Sequence, residues 1–471
     1  MHAREQVDIL LSHGYCLADD PHEQAVMKPY PPLGLLYLSA YLKTQGLRPQ
    51  VIDSTFQRLD TLLALVATRP APVLGLYTNL MTRPAVLRLI AAGKAAGMSV
   101  VLGGPESAGH AESYLSHGAD YVVIGEGELT LVELMVHLRE ASGRAPRQVA
   151  GLAFLVDGQV YRTPPRPALR QLDLLPWPDR SAIDMDIYLS CWRLHHGRSS
   201  LNLITARGCP FHCRWCSHAV FGHGHSRRSP DDVAAEVQDL VDRFQPDQLW
   251  YADDVFTISA PWIRRYRRAL ESRGLWLPFE CITRADCLDE DVADDLAAMG
   301  CYRVWLGSES GSQRILDAME RGVTLEQLRR ASARLQARGI AVGMFFMWGY
   351  PGEEASDIRA TVDHVVACAP DQVLSTVAYP IAGTPYHREV EARIRPTKAW
   401  AEGSDRDQHI AGRHSGRYYA AASRWLKAAH GLQRLRATGR SWSPSAAALR
   451  LRIALARFDL LRRSGEREVA E

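Results

Sequence analysis

The sequence alternates short apolar runs with helical patterns, and this alternation runs through two successive series. The first series places five predicted strands between Val7 and Ile124 and ends in a helical pattern at Leu138. Alternation at this spacing is typical of βαβ units, which build a parallel sheet with helices on both faces. The pattern therefore predicts an α/β fold whose first domain, residues 1–145, is doubly wound and of the flavodoxin or Rossmann type.

A second series of the same kind begins at Leu201 and ends at Val377, with six predicted strands. Six consecutive βα units predict a partial (β/α)6 TIM barrel, which we assign to residues 196–385. Between the two series, residues 146–195 hold a predicted β-hairpin around Asp157-Gly158 and a proline-rich connector. An Asp-Gly pair suits a two-residue hairpin turn, and prolines remove backbone donors, so this stretch is interpreted as a domain boundary.

The last segment, residues 386–471, is predicted to be mostly helical and is basic, with 18 Lys and Arg against 9 Asp and Glu. The whole chain has 55 basic and 53 acidic residues, so its charge gives no reason to expect a nucleic-acid partner. The predicted helix from Ser445 to Arg463 carries apolar residues on several sides. We expect this helix to pack against the protein, and contact with a membrane surface is the alternative.

Three of the nine cysteines, Cys209, Cys213 and Cys216, are grouped as Cys-x3-Cys-x2-Cys just past the first strand of the second series. Three thiolates from one loop favour an iron–sulfur cluster over a closed zinc site, which takes four protein ligands. Zinc would need His212 or His218 as its fourth ligand. The odd cysteine count and the polar first residues predict a reduced, cytoplasmic protein rather than a secreted disulfide scaffold.

This cysteine loop at the start of six βα units resembles the radical S-adenosylmethionine (SAM) superfamily. The resemblance implies that the three cysteines hold a 4Fe–4S cluster with one iron open to SAM, and that an external donor such as flavodoxin or ferredoxin supplies an electron. The later strands end in residues that also suit ordinary helix caps and turns. The SAM contacts that the resemblance implies are Trp215, Asp253, Asp254, Arg284, Glu309, Ser310, Gly349, Pro351, Gly352 and Glu353.

Two strand ends of the first series carry Gly103-Gly104-Pro105-Glu106 and Gly125-Glu126-Gly127-Glu128, and Tyr30-Pro-Pro precedes the predicted helix that begins at Leu33. With these residues the first series resembles the cobalamin-binding domain found upstream of the barrel in one large branch of that superfamily. Glycines at two of its strand ends leave backbone against which a large planar macrocycle can lie, although ordinary βα turns with a Glu near a helix N-terminus are the alternative. The sequence has no Asp-x-His-x-x-Gly motif, so the lower ligand of cobalt stays open. The implied cobalamin contacts are Pro32, Leu33, Gly34, Gly103, Gly104, Pro105, Glu106, Gly125, Glu126, Gly127 and Glu128.

Together the two resemblances point to the group that includes the anaerobic magnesium-protoporphyrin monomethyl ester cyclase. The implied function is that of a cobalamin-dependent radical SAM enzyme that methylates an unactivated carbon or a phosphorus centre of a small molecule. The methyl group would come from methylcobalamin after a 5′-deoxyadenosyl radical has activated the substrate. An oxidative cyclisation or rearrangement without methyl transfer is the alternative, and a non-catalytic sensor is a remote one.

Overall fold

The computed structural model describes residues 7–69, 71–140 and 144–468. The chain divides into two compact units. The first holds the described residues up to Pro210 together with Ser217–Leu249 and Lys398–Arg406. The second holds Phe211–Cys216, Trp250–Thr397 and the described residues from Asp407 onward.

The first unit is built on a seven-stranded sheet in the order β2-β1-β3-β4-β5-β6-β7. The first five strands pair in parallel, as the predicted doubly wound fold requires. The strands are β1 (Ile9–His13), β2 (Pro49–Ile52), β3 (Val73–Tyr77), β4 (Ser99–Gly103), β5 (Tyr121–Val123), β6 (Leu152–Val156) and β7 (Gln159–Arg162). The helices up to the end of the connector are α1 (Pro21–Val26), α2 (Leu33–Thr44), α3 (Leu59–Thr68), α4 (Arg83–Ala95), α5 (Pro105–Gly109), α6 (Ala111–Ser116), α7 (Gly127–Glu140) and α8 (Met185–His196).

Both faces of this sheet are covered, because successive residues of a strand point to opposite sides. Leu10 belongs to one buried apolar cluster, which includes side chains of α3, α4 and α6. Its neighbours Ile9 and Leu11 belong to the other cluster, which includes side chains of α2 and α7. A strand that is apolar on both faces is therefore what a doubly wound sheet requires.

The hairpin β6–β7 joins the first sheet, although the sequence suggested that it was part of a connector. β6 pairs antiparallel with β5, and its turn residues Asp157 and Gly158 both have positive φ, as a primed hairpin turn demands. Because β5 has three residues and would otherwise end the sheet, the hairpin supplies hydrogen-bond partners to its open edge.

A second sheet has six strands in the order β15-β14-β13-β12-β11-β8, and the strands from β12 to β15 pair in parallel. This order agrees with the predicted partial barrel. The strands of this part of the chain are β8 (Ser200–Leu203), β9 (Ala206–Arg207), β10 (Ser226–Arg227), β11 (Gln248–Tyr251), β12 (Phe279–Thr283), β13 (Cys301–Glu309), β14 (Ala341–Trp348), β15 (Gln372–Val377), β16 (Ile394–Pro396) and β17 (Gln408–Ile410). The helices are α9 (Pro230–Phe244), α10 (Ala260–Ser272), α11 (Glu290–Ala298), α12 (Gln313–Ala318), α13 (Leu325–Gln336), α14 (Ala355–Cys368), α15 (Pro385–Val390), α16 (Gly416–Ala437) and α17 (Pro444–Arg462).

The C-terminal segment is largely helical, as expected. α16 packs on α14 and β15, and α17 packs on α16. Pro444 lies at the first position of α17 and the Ser443 hydroxyl accepts a hydrogen bond from the Ala446 amide, so the helix begins with a proline and a capping serine. Within the described residues, no helix combines the length and apolar character needed to cross a membrane.

Candidate functional site

The turn after β4 has a backbone conformation that only glycine adopts readily. Gly104 has a φ of 107° and a ψ of 173°, and a Cβ atom there would lie 2.4 Å from the Thr78 carbonyl oxygen. The same Thr78 receives a hydrogen bond from the Ser107 amide through its hydroxyl, and its own amide donates to the Gly103 carbonyl. The sequence Gly103-Gly104 therefore brings two strand ends together with bare backbone at the carboxyl edge of the sheet.

The carboxylates that follow β5 are engaged by one buried arginine. Arg207 donates to Glu126 at 2.7 Å and to Glu128 at 2.6 Å, and all three side chains are less than a tenth exposed. The guanidinium of Arg207 also lies 5.2 Å from the centre of the Tyr37 ring. Gly125 next to this pair has a φ of 95°. At this turn the backbone, rather than a free carboxylate, is what a ligand would meet.

Glu106, at the start of α5, is also neutralised by an arginine. Arg83 donates to Glu106 at 2.6 Å and to Asp405 at 3.0 Å, and His110 lies 3.0 Å from the same Asp405. Burial raises the pKa of Glu106 above its ordinary value, against the opposing charge of Arg83. Glu106, His110 and Asp405 are close enough to share a cation, but the guanidinium of Arg83 already supplies the positive charge there.

The remaining predicted cobalamin contacts lie at the starts of α2, α5 and α7. Pro32 precedes the first residue of α2, and a Cβ atom on Gly34 would come within 4.0 Å of Tyr77, at the end of β3. Pro105 is the first residue of α5 and Gly127 is the first residue of α7. A Cβ atom on Gly127 would lie 3.1 Å from Leu38 of α2, so α7 packs closely there. Leu33 is buried and begins α2.

In the second unit, two buried arginines face the thiol of Cys213. The guanidinium nitrogens of Arg284 and Arg321 lie 3.8 Å and 3.7 Å from its sulfur. Arg284 is 2% exposed, so it is a buried arginine and not a surface one. Two positive charges next to one sulfur suit a site that carries negative charge when it is occupied.

Arg284 is held in place from three sides. Its Nε and Nη2 atoms each donate to Asp286 at 2.9 Å, and Nη2 also donates to the Arg321 carbonyl. The ring of Phe211 lies 3.6 Å from the guanidinium carbon. A guanidinium fixed in this way keeps its orientation towards Cys213 without relying on a ligand.

Glu309 is buried at the end of β13 in a strained conformation. Its φ is 58°, a region that costs a non-glycine residue energy and is found mostly where the surrounding structure imposes it. Its carboxylate lies 3.9 Å from the Nε of Arg321, beyond hydrogen-bond distance. A Cβ atom on Gly307 would come within 2.8 Å of the Glu309 carboxylate and 2.6 Å of Arg321, so Gly307 gives these side chains room. Burial raises the pKa of Glu309 to about 7.

The turn after β14 carries a second buried carboxylate. Glu353 accepts a hydrogen bond from the Gly349 amide at 2.7 Å through Oε2, while its Oε1 is buried without a hydrogen-bond partner. Burial raises the pKa of Glu353 to about 8. Gly349 and Gly352 both have positive φ, which the tight turn around Pro351 requires. A Cβ atom on Gly349 would lie 2.8 Å from the ring of Tyr419, which belongs to α16.

This turn forms one wall of a cavity of about 270 Å³ in the second unit. Glu353 and Tyr419 line this cavity, together with arginines and a histidine from the C-terminal segment. The predicted residues of the turn thus lie next to side chains that come from beyond the predicted barrel. The basic lining residues from beyond the barrel are Arg393, Arg413, His414 and Arg467.

The other predicted residues lie near strand ends, and their contacts do not by themselves indicate a bound ligand. Asp253, after β11, is buried and Asp254 is exposed. Ser310 is buried, with its hydroxyl 3.3 Å from the Thr361 hydroxyl of α14. Trp215 packs against a small apolar cluster. Cys209 and Cys216 are both partly exposed, and Cys213 is buried.

Sequence reasoning missed two residues of these sites: Arg207 and Arg321. Arg207 stands two positions before Cys209, so proximity to the cysteine loop is a signal that could have singled it out. Arg321 lies in a stretch without a recognisable motif, and only the folded chain brings it to Cys213. The stretch from Gly412 to Tyr419 is expected from the sequence to close over the barrel mouth, and Tyr419 lies against Gly349.

Comparison with protein families identifies two domains in the chain. Residues 203–365 match the model of the radical SAM superfamily. The chain therefore contains a radical SAM domain. Residues 25–135 of this radical SAM protein match the model of the B12 binding domain. The predicted combination of SAM, an iron–sulfur cluster and cobalamin is thereby confirmed at the level of the two domains.

Three similar proteins illustrate the range of this group. An uncharacterized methyltransferase of Pyrococcus horikoshii, PH0819, is 29% identical over 75% of this chain and 77% of its own length. The cytidylyl-2-hydroxyethylphosphonate methyltransferase of Streptomyces wedmorensis is 28% identical over 57% of this chain and 56% of its own length. The anaerobic magnesium-protoporphyrin IX monomethyl ester cyclase of Rubrivivax gelatinosus is 27% identical over 70% of this chain, which spans 61% of that enzyme.

Solved structures share the fold. The radical SAM methyltransferase TsrM from Kitasatospora setae, with cobalamin and a 4Fe–4S cluster bound, superposes with a TM-score of 0.69 over 84% of this chain and 78% of its own, at 21% identity. The cobalamin-dependent radical SAM enzyme OxsB superposes with a TM-score of 0.73 over 96% of this chain and 72% of its own, at 16% identity. At these identities the likeness concerns the fold alone.

The residues of this radical SAM protein fit the implied cofactors. Two guanidinium groups face Cys213, as the negative charge of a thiolate-bound cluster requires. A buried oxygen of Glu353 has no partner, and the carboxylate of Glu309 has no arginine within hydrogen-bond distance, so both can accept from a bound ligand. The bare backbone at Gly104 fits the close approach of a large flat ligand.

Proposed function

We propose that this cobalamin-dependent radical SAM enzyme is a methyltransferase that acts on an unactivated carbon or a phosphorus centre of a small-molecule biosynthetic intermediate. The observation that carries the proposal is that one chain has two unlike sites at strand ends. One is lined by glycine backbone with its carboxylates neutralised, and the other combines a thiol, two arginines and available carboxylates. The bound cofactors would supply a 5′-deoxyadenosyl radical and a transferable methyl group.

On this proposal, Cys209, Cys213 and Cys216 bind the cluster. Arg284 and Arg321 hold the sulfur of Cys213 and balance the charge of the bound cluster. Glu309 is positioned to accept hydrogen bonds from the amino group of SAM, because it is buried, strained and not fully paired. Further SAM contacts are assigned to the turn from Gly349 to Glu353 and to Trp215, Asp253, Asp254 and Ser310.

The cobalamin side of the proposal rests on the backbone of the strand ends. Because Arg207 neutralises Glu126 and Glu128 and Arg83 neutralises Glu106, these carboxylates act through their arginines to fix the turns. The glycines of the turns then provide the surface on which the corrin ring or its nucleotide tail lies. Pro32, Leu33 and Gly34 at the start of α2, with Pro105, complete the proposed contact set.

Methyl transfer is supported by the similar proteins that are named methyltransferases, which include PH0819. The similar cyclases support an oxidative cyclisation in place of methyl transfer as the second candidate. We further propose that the enzyme works in the cytoplasm on a small molecule, with flavodoxin or ferredoxin as its electron donor.

The first test is to purify the protein without oxygen, with cobalamin supplied, and to measure iron and corrinoid per chain. The loaded protein is then incubated with SAM and dithionite, and the nucleoside products are separated by chromatography. Formation of both S-adenosylhomocysteine and 5′-deoxyadenosine is expected for a methyltransferase of this class.

The other outcomes discriminate among the alternatives. If 5′-deoxyadenosine is formed by corrinoid-loaded protein without S-adenosylhomocysteine, methyl transfer is wrong and the cyclase-type reaction takes its place. Protein that binds iron and corrinoid but forms neither product would be a sensor. Protein that binds iron but no corrinoid would contradict the assignment of the glycine-lined edge of the first domain as a cobalamin site.

A further inference from the structure

The C-terminal helix α17 has two apolar faces, and only one of them is covered. Ala446, Ala456 and Leu460 are buried on the side that meets α16. Leu449, on the same side, lies against α16, where a Cβ atom on Gly431 would come within 3.3 Å of it. The sequence expectation that this helix packs against the protein is therefore met by one face.

The opposite face presents four large apolar side chains to solvent. Their exposed fractions are 61% for Leu451, 58% for Leu455, 67% for Phe458 and 63% for Leu461. At about 100° per residue these positions fall within about a third of the helix circumference, so they form one continuous stripe. Apolar residues lie on several sides of this helix because it has two apolar faces. α16 covers one of them, and the other is exposed. Contiguous exposed apolar surface of this kind marks an interaction site.

The surroundings of this stripe are strongly basic. Residues 416–462, which form α16, α17 and the turn between them, contain 10 Lys and Arg and a single acidic residue, Asp459. Asp459 is already paired with Arg424 at 2.5 Å and with Arg463 at 2.7 Å. On a helix of regular pitch, Arg452 borders the stripe on one side and Arg457 on the other.

An exposed tryptophan stands beside the start of the same helix. Trp442 is 92% exposed, and the guanidinium of Arg450 lies 5.3 Å from its ring centre. An apolar stripe with arginines on both borders and an aromatic residue at its end is the composition of helices that lie in the plane of a lipid surface. Tryptophan is favoured at the level of lipid headgroups because its ring is apolar and its N–H is polar.

We propose that α17 binds the surface of an anionic lipid bilayer, with Leu451, Leu455, Phe458 and Leu461 inserted among the headgroups. Charge decides between this occupant and a second copy of the chain. Two copies that met through this face would bring two basic helix pairs together, each with nine more positive than negative side chains. Anionic headgroups instead complement that charge. The inference is independent of the reaction proposed above.

The test uses the full chain and measures sedimentation with vesicles. One set of vesicles is made of phosphatidylcholine alone, and the other of phosphatidylcholine and phosphatidylglycerol in equal parts. We expect the protein to sediment with the anionic vesicles and to stay in solution with the neutral ones. The variant Leu455→Ser/Phe458→Ser should bind the anionic vesicles at least about tenfold more weakly, because two apolar side chains no longer enter the bilayer.

Leu194→Ser is the matched control, since Leu194 is 80% exposed on α8, outside the basic helix pair. It should bind vesicles as the wild type does. Because the substituted side chains of α17 are exposed, both variants should unfold at the wild-type temperature, which circular dichroism checks. A charge variant, Arg452→Glu/Arg457→Glu, should also lose binding to anionic vesicles.

Three results would overturn the proposal. The first is the absence of sedimentation with either kind of vesicle. The second is a dimer in lipid-free solution, seen by light scattering, that Leu455→Ser/Phe458→Ser converts to a monomer, because the stripe is then an interface between copies. The third is vesicle binding that the apolar variant leaves unchanged, because the attachment would then be electrostatic only and the stripe would play no part.

Discussion

The parallel strands of the first sheet and those of the second sheet end in turns of opposite character. At the carboxyl edge of the first sheet, Glu106, Glu126 and Glu128 are all paired with buried arginines, and glycine backbone is what remains. At the end of the second sheet, Glu309 and Glu353 are buried but incompletely paired. The difference matches two kinds of ligand. A large flat ligand needs room and backbone, whereas SAM, which carries an ammonium, a carboxylate and a sulfonium group, needs polar groups that are not already satisfied.

The largest effect should come from removing the thiol that anchors the second site. We expect Cys213→Ala to lose the cluster and with it all SAM cleavage, because the cluster would lose one of its three thiolate ligands. Iron content and 5′-deoxyadenosine formation measure the loss. Cys191→Ala, at a cysteine on α8, should keep both iron and activity. Full iron content in Cys213→Ala would contradict the role of Cys213 as a cluster ligand, and with it the contrast between the two sheets.

The second prediction concerns Arg207, which neutralises two carboxylates at the edge of the first sheet. Arg207→Met leaves Glu126 and Glu128 buried without a counter-charge, so we expect the free energy of unfolding to fall by about 3–5 kcal/mol. Chemical denaturation followed by circular dichroism measures the change. Arg330→Met breaks a surface pair with Glu326 and should cost at most about 1 kcal/mol. Equal losses in the two variants would contradict the view that Arg207 holds these carboxylates.

The glycine backbone of the same edge is tested by Gly104→Ala. The backbone conformation alone should cost about 1–3 kcal/mol, and the contact of Cβ with the Thr78 carbonyl adds to it. Both the corrinoid content and the unfolding temperature of Gly104→Ala should be lower than those of the wild type. Gly97→Ala is the control, since Gly97 also has positive φ but open space around its Cβ position. It should lose only the smaller backbone contribution and keep its corrinoid.

The available carboxylates of the second site are tested by Glu309→Gln. We expect SAM to bind about tenfold more weakly, because a hydrogen bond to a charged acceptor is lost while the cluster ligands are untouched. Equilibrium dialysis without oxygen, at unchanged iron content, measures the affinity. Glu320→Gln is the control, because Glu320 also has positive φ but lies at the surface in a pair with Arg214. Unaltered SAM affinity in Glu309→Gln would contradict the assigned role.

The smallest effect should be a pH dependence of stability that comes from Glu353. Its pKa is raised by burial to about 8, above the value of the unfolded chain. The folded protein therefore binds this proton more tightly, so the contribution to stability is complete at acid pH and is lost as the pH rises towards 8. Glu353→Gln should flatten this fall in the thermal midpoint, measured on the protein without SAM. Glu326→Gln, at an exposed position of α13, should leave the profile of the wild type unchanged.

Much of this arrangement could be predicted from the sequence, because it depends on local order along the chain. Strand–helix alternation predicted both sheets, and the five predicted strands of the first do pair in parallel. The spacing of Cys209, Cys213 and Cys216 predicted a cluster loop. The residue pair Gly103-Gly104 marked the turn where a side chain has no room. Each of these signals lies within a few neighbouring residues.

Only the tertiary structure decided which charged groups are free to act. Glu126 and Glu128 stand some 80 residues before Arg207, and Arg321 stands more than 100 residues after Cys213, yet each set meets in one site. The same holds for α17, because its position against α16 determines which of its apolar faces stays exposed. Periodicity records the local conformation of a segment, whereas neutralisation and exposure depend on distant segments that come together when the chain folds.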